Sequence, residues 1–217
     1  MIRIHPPPAA AATGTLTATL GASTVNGTFE AIEGVPGCLI ISEYVEGAGS
    51  NNKAIELFNC SGQPLQLDQY GICLISNAAT TCSQSVTLDS VTLAAGEVHT
   101  LCKSQSGSDP DPLAGITANC DQESAGVINH NGDDRFIVYI DADGNGSFGS
   151  ADTIVDTFGQ PTVRPGSTIW ADKTYRRCDL TPFDGQSAFN VLAFYNEYAN
   201  GTVDDFGTAP NEPACAP

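Results

Sequence analysis

From Cys38 onward, apolar residues fall in short runs of Val, Ile, Leu, Tyr and Phe, separated by clusters of Gly, Asn, Asp, Ser and Pro, with almost no helical spacing. Short runs bounded by turn residues are the mark of strands, because side chains of an extended chain alternate between two faces. The runs predict strands over residues 38–45, 53–59, 70–76, 86–93, 97–102, 135–140, 153–158, 173–177 and 191–198, and one helical turn over 111–117. Strands at this spacing predict an antiparallel sandwich or barrel. Residues 6–29 differ: they carry no charge and consist mostly of Ala, Thr, Gly and Pro, too little apolar surface to offset the entropy of ordering. Within them Thr15, Leu16, Thr17, Ala18, Thr19 and Leu20 alternate polar with apolar, so this arm holds one strand in search of a sheet edge. With no internal repeat, the expected organisation is an N-terminal arm or linker over 1–37 and one β-domain over 38–217.

Composition narrows the classes. The 217 residues carry 25 acidic and 8 basic side chains, a formal charge of −17, which argues against a phosphate-tracking nucleic-acid surface. Apolar residues at 41% and charged ones at 15% argue against a chain disordered throughout. No run approaches the roughly 18 apolar residues of a membrane-spanning helix, so no span is expected. The eight cysteines stand at wide spacings with no CxxC pair, which weakens zinc and redox readings. An even number in an acidic chain instead implies disulfides formed outside the cytosol, in an extracellular or cell-surface protein. The start, Met1 to His5 followed by Pro6 to Pro8, lacks a signal-peptide core, so either a leader has been removed or the chain is one segment of a longer protein. Asn26, Asn59, Asn145 and Asn200 head glycosylation triplets.

Register gives a first disulfide. If 38–45 and 53–59 form a hairpin with Val45 opposite Lys53, Cys38 faces Cys60, and directly opposed residues are within bridging reach. The same arithmetic brings Cys73 near Cys82. Cys102 and Cys120 flank a Ser/Asp/Pro-rich connection, and Cys178 and Cys215 are left over, although other connectivities stay open.

The segment Ile41-Ser42-Glu43-Tyr44-Val45-Glu46-Gly47, continuing at Ser50-Asn51-Asn52-Lys53-Ala54-Ile55-Glu56-Leu57-Phe58-Asn59, resembles the opening of the lamin-tail domain in its extracellular or bacterial form. Cys120-Asp121-Gln122, Asn131-Gly132-Asp133-Asp134, Val155-Asp156-Thr157-Phe158-Gly159, Pro165-Gly166-Ser167 and Trp170 to Arg177 follow in order, so the resemblance extends to about Gly207. It implies an immunoglobulin-like antiparallel β-sandwich, used in secreted proteins as an accessory module with no catalytic residues of its own. The cysteines, an acidic insert over 141–152 and the long arm depart from the nuclear members.

The strongest local motif lies in that insert. Asp141, Asp143, Asn145 and Asp152 occupy positions 1, 3, 5 and 12 of a twelve-residue loop, with Gly146 at position 6 and the Ser147 carbonyl at position 7. That is the oxygen spacing of an EF-hand-type calcium loop, with Asp where Glu usually closes the site. An acidic hairpin turn is the competing reading, since Asp, Asn and Gly favour turns anyway. No nucleophile elbow, HExxH helix or phosphate loop is present, so no catalytic residue is assigned. His5, His99 and His130 are expected at the surface or in caps, Asp133 and Asp134 in a strand-entry turn, and Asp204 and Asp205 in a solvated turn. Arg164, Lys173, Arg176 and Arg177 form a basic island that either pairs internally or receives an anionic glycan, with Trp170 and Tyr175 as a sugar platform or as packing. The expected function is a non-catalytic extracellular structural or binding module, stabilised by disulfides and calcium, acting in surface assembly or adhesion. Assembly would proceed by strand donation from the arm through Thr15, Leu16, Ala18 and Leu20 to a second copy. The alternative is an accessory domain of a secreted nuclease or other hydrolase, with glycan binding as its use.

Overall fold

The computed structural model describes the backbone of residues 13–20 and 23–30, and all of residues 37–49, 51–104, 113–166 and 169–215. Its strands are β1 (Thr13–Leu20), β2 (Ser23–Glu30), β3 (Leu39–Glu46), β4 (Lys53–Asn59), β5 (Leu65–Gln66), β6 (Tyr70–Ile75), β7 (Gln84–Thr87), β8 (Thr92–Leu93), β9 (Val98–Cys102), β10 (Gln122–Glu123), β11 (Arg135–Ile140), β12 (Thr153–Phe158), β13 (Lys173–Arg177) and β14 (Tyr195–Ala199). The one α-helix, α1, is Ala114–Ala118, at the predicted helical turn, whose Asp111 and Pro112 lie outside the described residues. Ser50 and Ser167 of the resemblance lie outside them too.

Six strands in the order β10-β9-β4-β3-β13-β14 form one sheet and four in the order β12-β11-β6-β7 form the other. Their inner faces interleave Leu39, Ile41, Tyr44, Ile55 and Leu57 with Ile72, Leu74, Phe136, Val138 and Phe158. Phe158 is the hub, stacked on Tyr44 at 4.3 Å and edge-on to Trp170 at 4.8 Å and Tyr195 at 5.2 Å. Smaller apolar clusters cover both outer faces: Val45, Ala54, Cys102, Ile116 and Phe206 on the six-stranded sheet, and Cys73, Ile75, Ile137 and Tyr139 on the other. That double covering explains why β3 is buried along its whole length, its Ser42, Glu43 and Glu46 included.

Two predicted strands need correction. Residues 86–93 are not one strand, because the chain leaves β7 after Thr87 and returns only as the two-residue β8, turning through Asp89 and Ser90. Residues 191–198 begin as a 3-10 turn, Val191–Ala193, whose N-cap Asn190 accepts a hydrogen bond from Leu192 N–H, and become extended only at Tyr195. The sandwich is antiparallel except where β10 pairs in parallel with β9.

The β3–β4 hairpin opens one residue later than predicted, with Glu46 opposite Lys53. A β-bulge at Ser42 absorbs the extra residue and lets Ile41 and Tyr44 both face the core. Beyond the bulge Leu39 pairs with Asn59, and Cys38 meets Cys60 as expected, at a Cα–Cα distance of 5.1 Å. The remaining bridges are Cys73–Cys82, Cys102–Cys120 and Cys178–Cys215, at 5.7, 5.9 and 5.1 Å. No free cysteine remains among the described residues.

The predicted arm strand lies within β1, but it already has a partner: β2 pairs with it antiparallel from Thr13 opposite Glu30 to Leu20 opposite Ser23. These two strands form a separate two-stranded sheet, hydrogen-bonded to neither layer of the sandwich. The side chains of Thr15, Leu16, Ala18 and Leu20 lie outside the described part of the structure.

Candidate functional site

The acidic insert is the connection between β11 and β12, so it leaves one strand and enters its hydrogen-bonded neighbour. Asp141 N–H donates to Gln69 O at 2.9 Å, which anchors the start of the loop to the chain just before β6. Gly144 and Gly146 take φ values of 71° and 75°, a left-handed conformation that costs glycine little and curls the loop inward. Asp141 then lies at its centre, accepting from Gly144 N–H at 3.0 Å and Asn145 N–H at 3.2 Å on Oδ1, and from Gly146 N–H at 2.8 Å on Oδ2. Asp152 closes the far end, accepting from Ala142 N–H at 3.0 Å and Gly149 N–H at 2.7 Å. Asn145 Oδ1 accepts from Ser147 N–H at 2.7 Å.

One carboxylate oxygen each from Asp141, Asp143 and Asp152 lies within 4.8 Å of the other two, the only such group of potential metal ligands among the described residues. Three hard anionic oxygens brought together, with an amide oxygen and a backbone carbonyl nearby in sequence, fit the chemistry of a calcium ion. The spacing that marked positions 1, 3 and 12 therefore does bring those carboxylates together. The loop also reaches the sandwich: Phe148 packs on Tyr139 at 5.2 Å, and its N–H donates to Ser85 Oγ of β7 at 3.3 Å.

The basic island is internally consumed. Arg164 pairs with Asp133, Lys173 with Glu197 at 2.7 Å, Arg176 with Asp204 and Asp205, and Arg177 with Asp156 at 3.2 Å. Arg135 is buried too, its guanidinium donating to the carbonyls of Asn77, Ala79, Asp133 and Pro161. Trp170 and Tyr175, at 4% and 1% exposure, are core residues and cannot stack on a sugar. Asn59, 1% exposed, donates from its amide to the carbonyls of Gln63, Leu93 and Ala94, which excludes a glycan there in the folded state.

His99 and His130 overturn the surface expectation, while His5 lies outside the described residues. His130 is fully buried between Tyr44 and Phe136, with Nε2 2.8 Å from Val45 O, and burial together with the nearby Lys53 charge pushes its pKa down to about 3. A neutral imidazole fixed on a carbonyl is a packing element. His99 is also buried, beside Gln122. Asp134 caps the turn before β11, accepting from Asn77 N–H and Asn131 N–H at 2.6 Å each. The Asp204–Asp205 turn is exposed at Asp204 as expected, and both carboxylates also clamp Arg176; in sequence, only the like-charged pair near a sparse set of cations hinted at that pairing.

Among the described residues no helix is long and apolar enough to cross a membrane. No curated protein and no solved structure matches the chain. The family model described as Lamin Tail Domain matches residues 34–162, from just ahead of β3 to just past β12, and stops short of the Gly207 to which the resemblance was traced. Since that match spans more than half of the sequence, this chain belongs to the lamin-tail domain family, and its two packed antiparallel sheets are an immunoglobulin-like β-sandwich.

Proposed function

We propose that the protein is a non-catalytic extracellular module, held by disulfides and by one calcium ion, that works in surface assembly or adhesion. The observation that carries this reading is where the reactive groups go. His99 and His130 are buried, and Arg164, Lys173, Arg176 and Arg177 are paired with carboxylates. The Asp141–Asp152 loop is largely exposed, and β1 and β2 form a sheet of their own. Four disulfides support an oxidising environment.

In this reading calcium is held by Asp141, Asp143, Asn145, the Ser147 carbonyl and Asp152, and staples β11 to β12. Without it three carboxylates crowd one turn. Extracellular sites of this kind work at dissociation constants of about 10⁻⁴ to 10⁻³ M, so modest affinity suffices. Millimolar calcium should raise the melting temperature, and Asp141→Ala should abolish the rise. A wild-type melting temperature indifferent to calcium and chelator removes calcium from the account. Turnover of nucleic acid, ester or glycan by this chain alone, lost on a point substitution, removes the non-catalytic claim.

Assembly is assigned to the arm because an isolated two-stranded sheet is marginal in water, whereas a third strand makes such a unit stable. Head-to-tail addition of β1 or β2 to a sheet edge of a second copy does not close, so it builds a filament.

A further inference from the structure

On the outer face of the six-stranded sheet, cross-strand register puts Glu56 of β4, Glu43 of β3 and Arg176 of β13 in one row. The row is buried, with Glu43 and Glu56 each 2% exposed and Arg176 7%. Residues 202–208, after β14, close over it. Asp204 and Asp205 both reach Arg176 Nη2, and Gly207 N–H donates to Glu56 Oε2 at 2.7 Å. Phe206 drops beside the row into the cluster of Val45, Ala54, Cys102 and Ile116. Three carboxylates, Glu43, Asp204 and Asp205, therefore share one guanidinium, with Glu56 beside Glu43 in the row. Glu43 Oε1 stands 3.7 Å from Arg176 Nε, and these two atoms and Asp205 Oδ1 have no hydrogen-bond partner among the described residues. The solvent-facing Asp204 and half-exposed Asp205 already take up the one guanidinium, so the buried row cannot hold both glutamates ionised and closure requires protons on them.

We propose that residues 202–208 form a proton-dependent latch, closed over the Glu43–Glu56 row while these glutamates are protonated and released when they ionise, which uncovers the apolar seat of Phe206. Burial, then the charge of Asp205, raises the Glu43 pKa to about 9, and burial raises that of Glu56 to about 7 even though Ser42 Oγ donates to it. In the open latch both carboxyls return toward 4.5, so opening releases protons and rising pH favours it. The other groups facing the row add no second cation: Tyr198 lies under the Arg176 guanidinium at 4.6 Å, Glu212 accepts from Tyr198 O–H, and Asp121 accepts from Thr100 Oγ1, opposite Glu56.

Hydrogen–deuterium exchange of the intact, oxidised protein tests the latch, with rates corrected for the intrinsic pH dependence. Protection at Phe206 and Gly207 should fall by about tenfold per pH unit between pH 7 and 9, while β11 amides in the same samples keep theirs. Glu43→Gln keeps the shape and cannot ionise, so it should flatten that fall. Asp205→Asn, on the half-exposed loop, removes a charge that raises the Glu43 pKa, and should move the end of the fall to lower pH. Flat wild-type protection overturns the proposal, as does a fall that persists unchanged in both variants.

Discussion

Arg177 and Asp156 sit at 1% and 0% exposure, with the arginine donating also to the Tyr195 hydroxyl oxygen and to the carbonyls of Asp179 and Thr181, and the aspartate accepting from the N–H groups of Ile41 and Phe183. A charge so placed is tolerated only while its counter-charge stays. Asp156→Ala should cost about 3 to 5 kcal/mol in urea unfolding, because it strands the guanidinium. Glu197→Ala, which breaks the half-exposed pair with Lys173, should cost under about 1 kcal/mol by the same measurement. Strand alternation alone predicted that Arg176 and Arg177 cannot both enter the core, and they do not: Arg177 faces Asp156 inside, and Arg176 faces the outer row. Which carboxylate each would meet was not legible, since Asp156 lies 21 positions from Arg177 and Asp204 lies 28 from Arg176. The burial of His130 was equally hidden, because its aromatic neighbours come from β3 and β11.

At the level of elements, most strands could be read because their apolar runs are bounded by turn residues. What could not be read was whatever depends on pairing. The Ser42 bulge shows the reason: the hairpin register predicted from the loop was off by one, and the bulge compensated, so Cys38 still met Cys60. β2 was missed because its sequence, STVNGTFE, carries a central Asn-Gly, so only its pairing with β1 marks it as a strand. The gathering of Asp141, Asp143 and Asp152 was legible from their spacing because that loop is local in sequence. The bridges differ in reach, and the chain-entropy argument ranks them. Cys178–Cys215 closes 37 positions and Cys73–Cys82 closes 9, so replacing each pair by Ala should cost about 4 and about 2.5 kcal/mol respectively in chemical unfolding. The reverse order would show that strain or denatured-state structure outweighs loop length.

For the whole molecule, two opposing sets of buried groups fix the pH of greatest stability. Glu43 and Glu56 bind protons more tightly folded than unfolded, so their contribution is complete below about 4.5 and is lost as pH rises to about 9. His130 works the other way, since its pKa of about 3 when folded penalises acid below 6.5. Stability should therefore peak near pH 5 and decline by about 1.4 kcal/mol per unit between pH 7 and 9, where only Glu43 still titrates. The formal charge of −17 adds self-repulsion in the same direction, and paired cations leave the remaining acidic surface uncompensated. The whole chain carries one more feature, the β1–β2 sheet that joins neither layer, and assembly through it is the central claim. Light scattering across a concentration series, for the full chain and for a version starting at Val35, tests it most directly. The account predicts a mass that grows with concentration for the full chain and a monomer for the shortened one; two equally monomeric species at every concentration would contradict it.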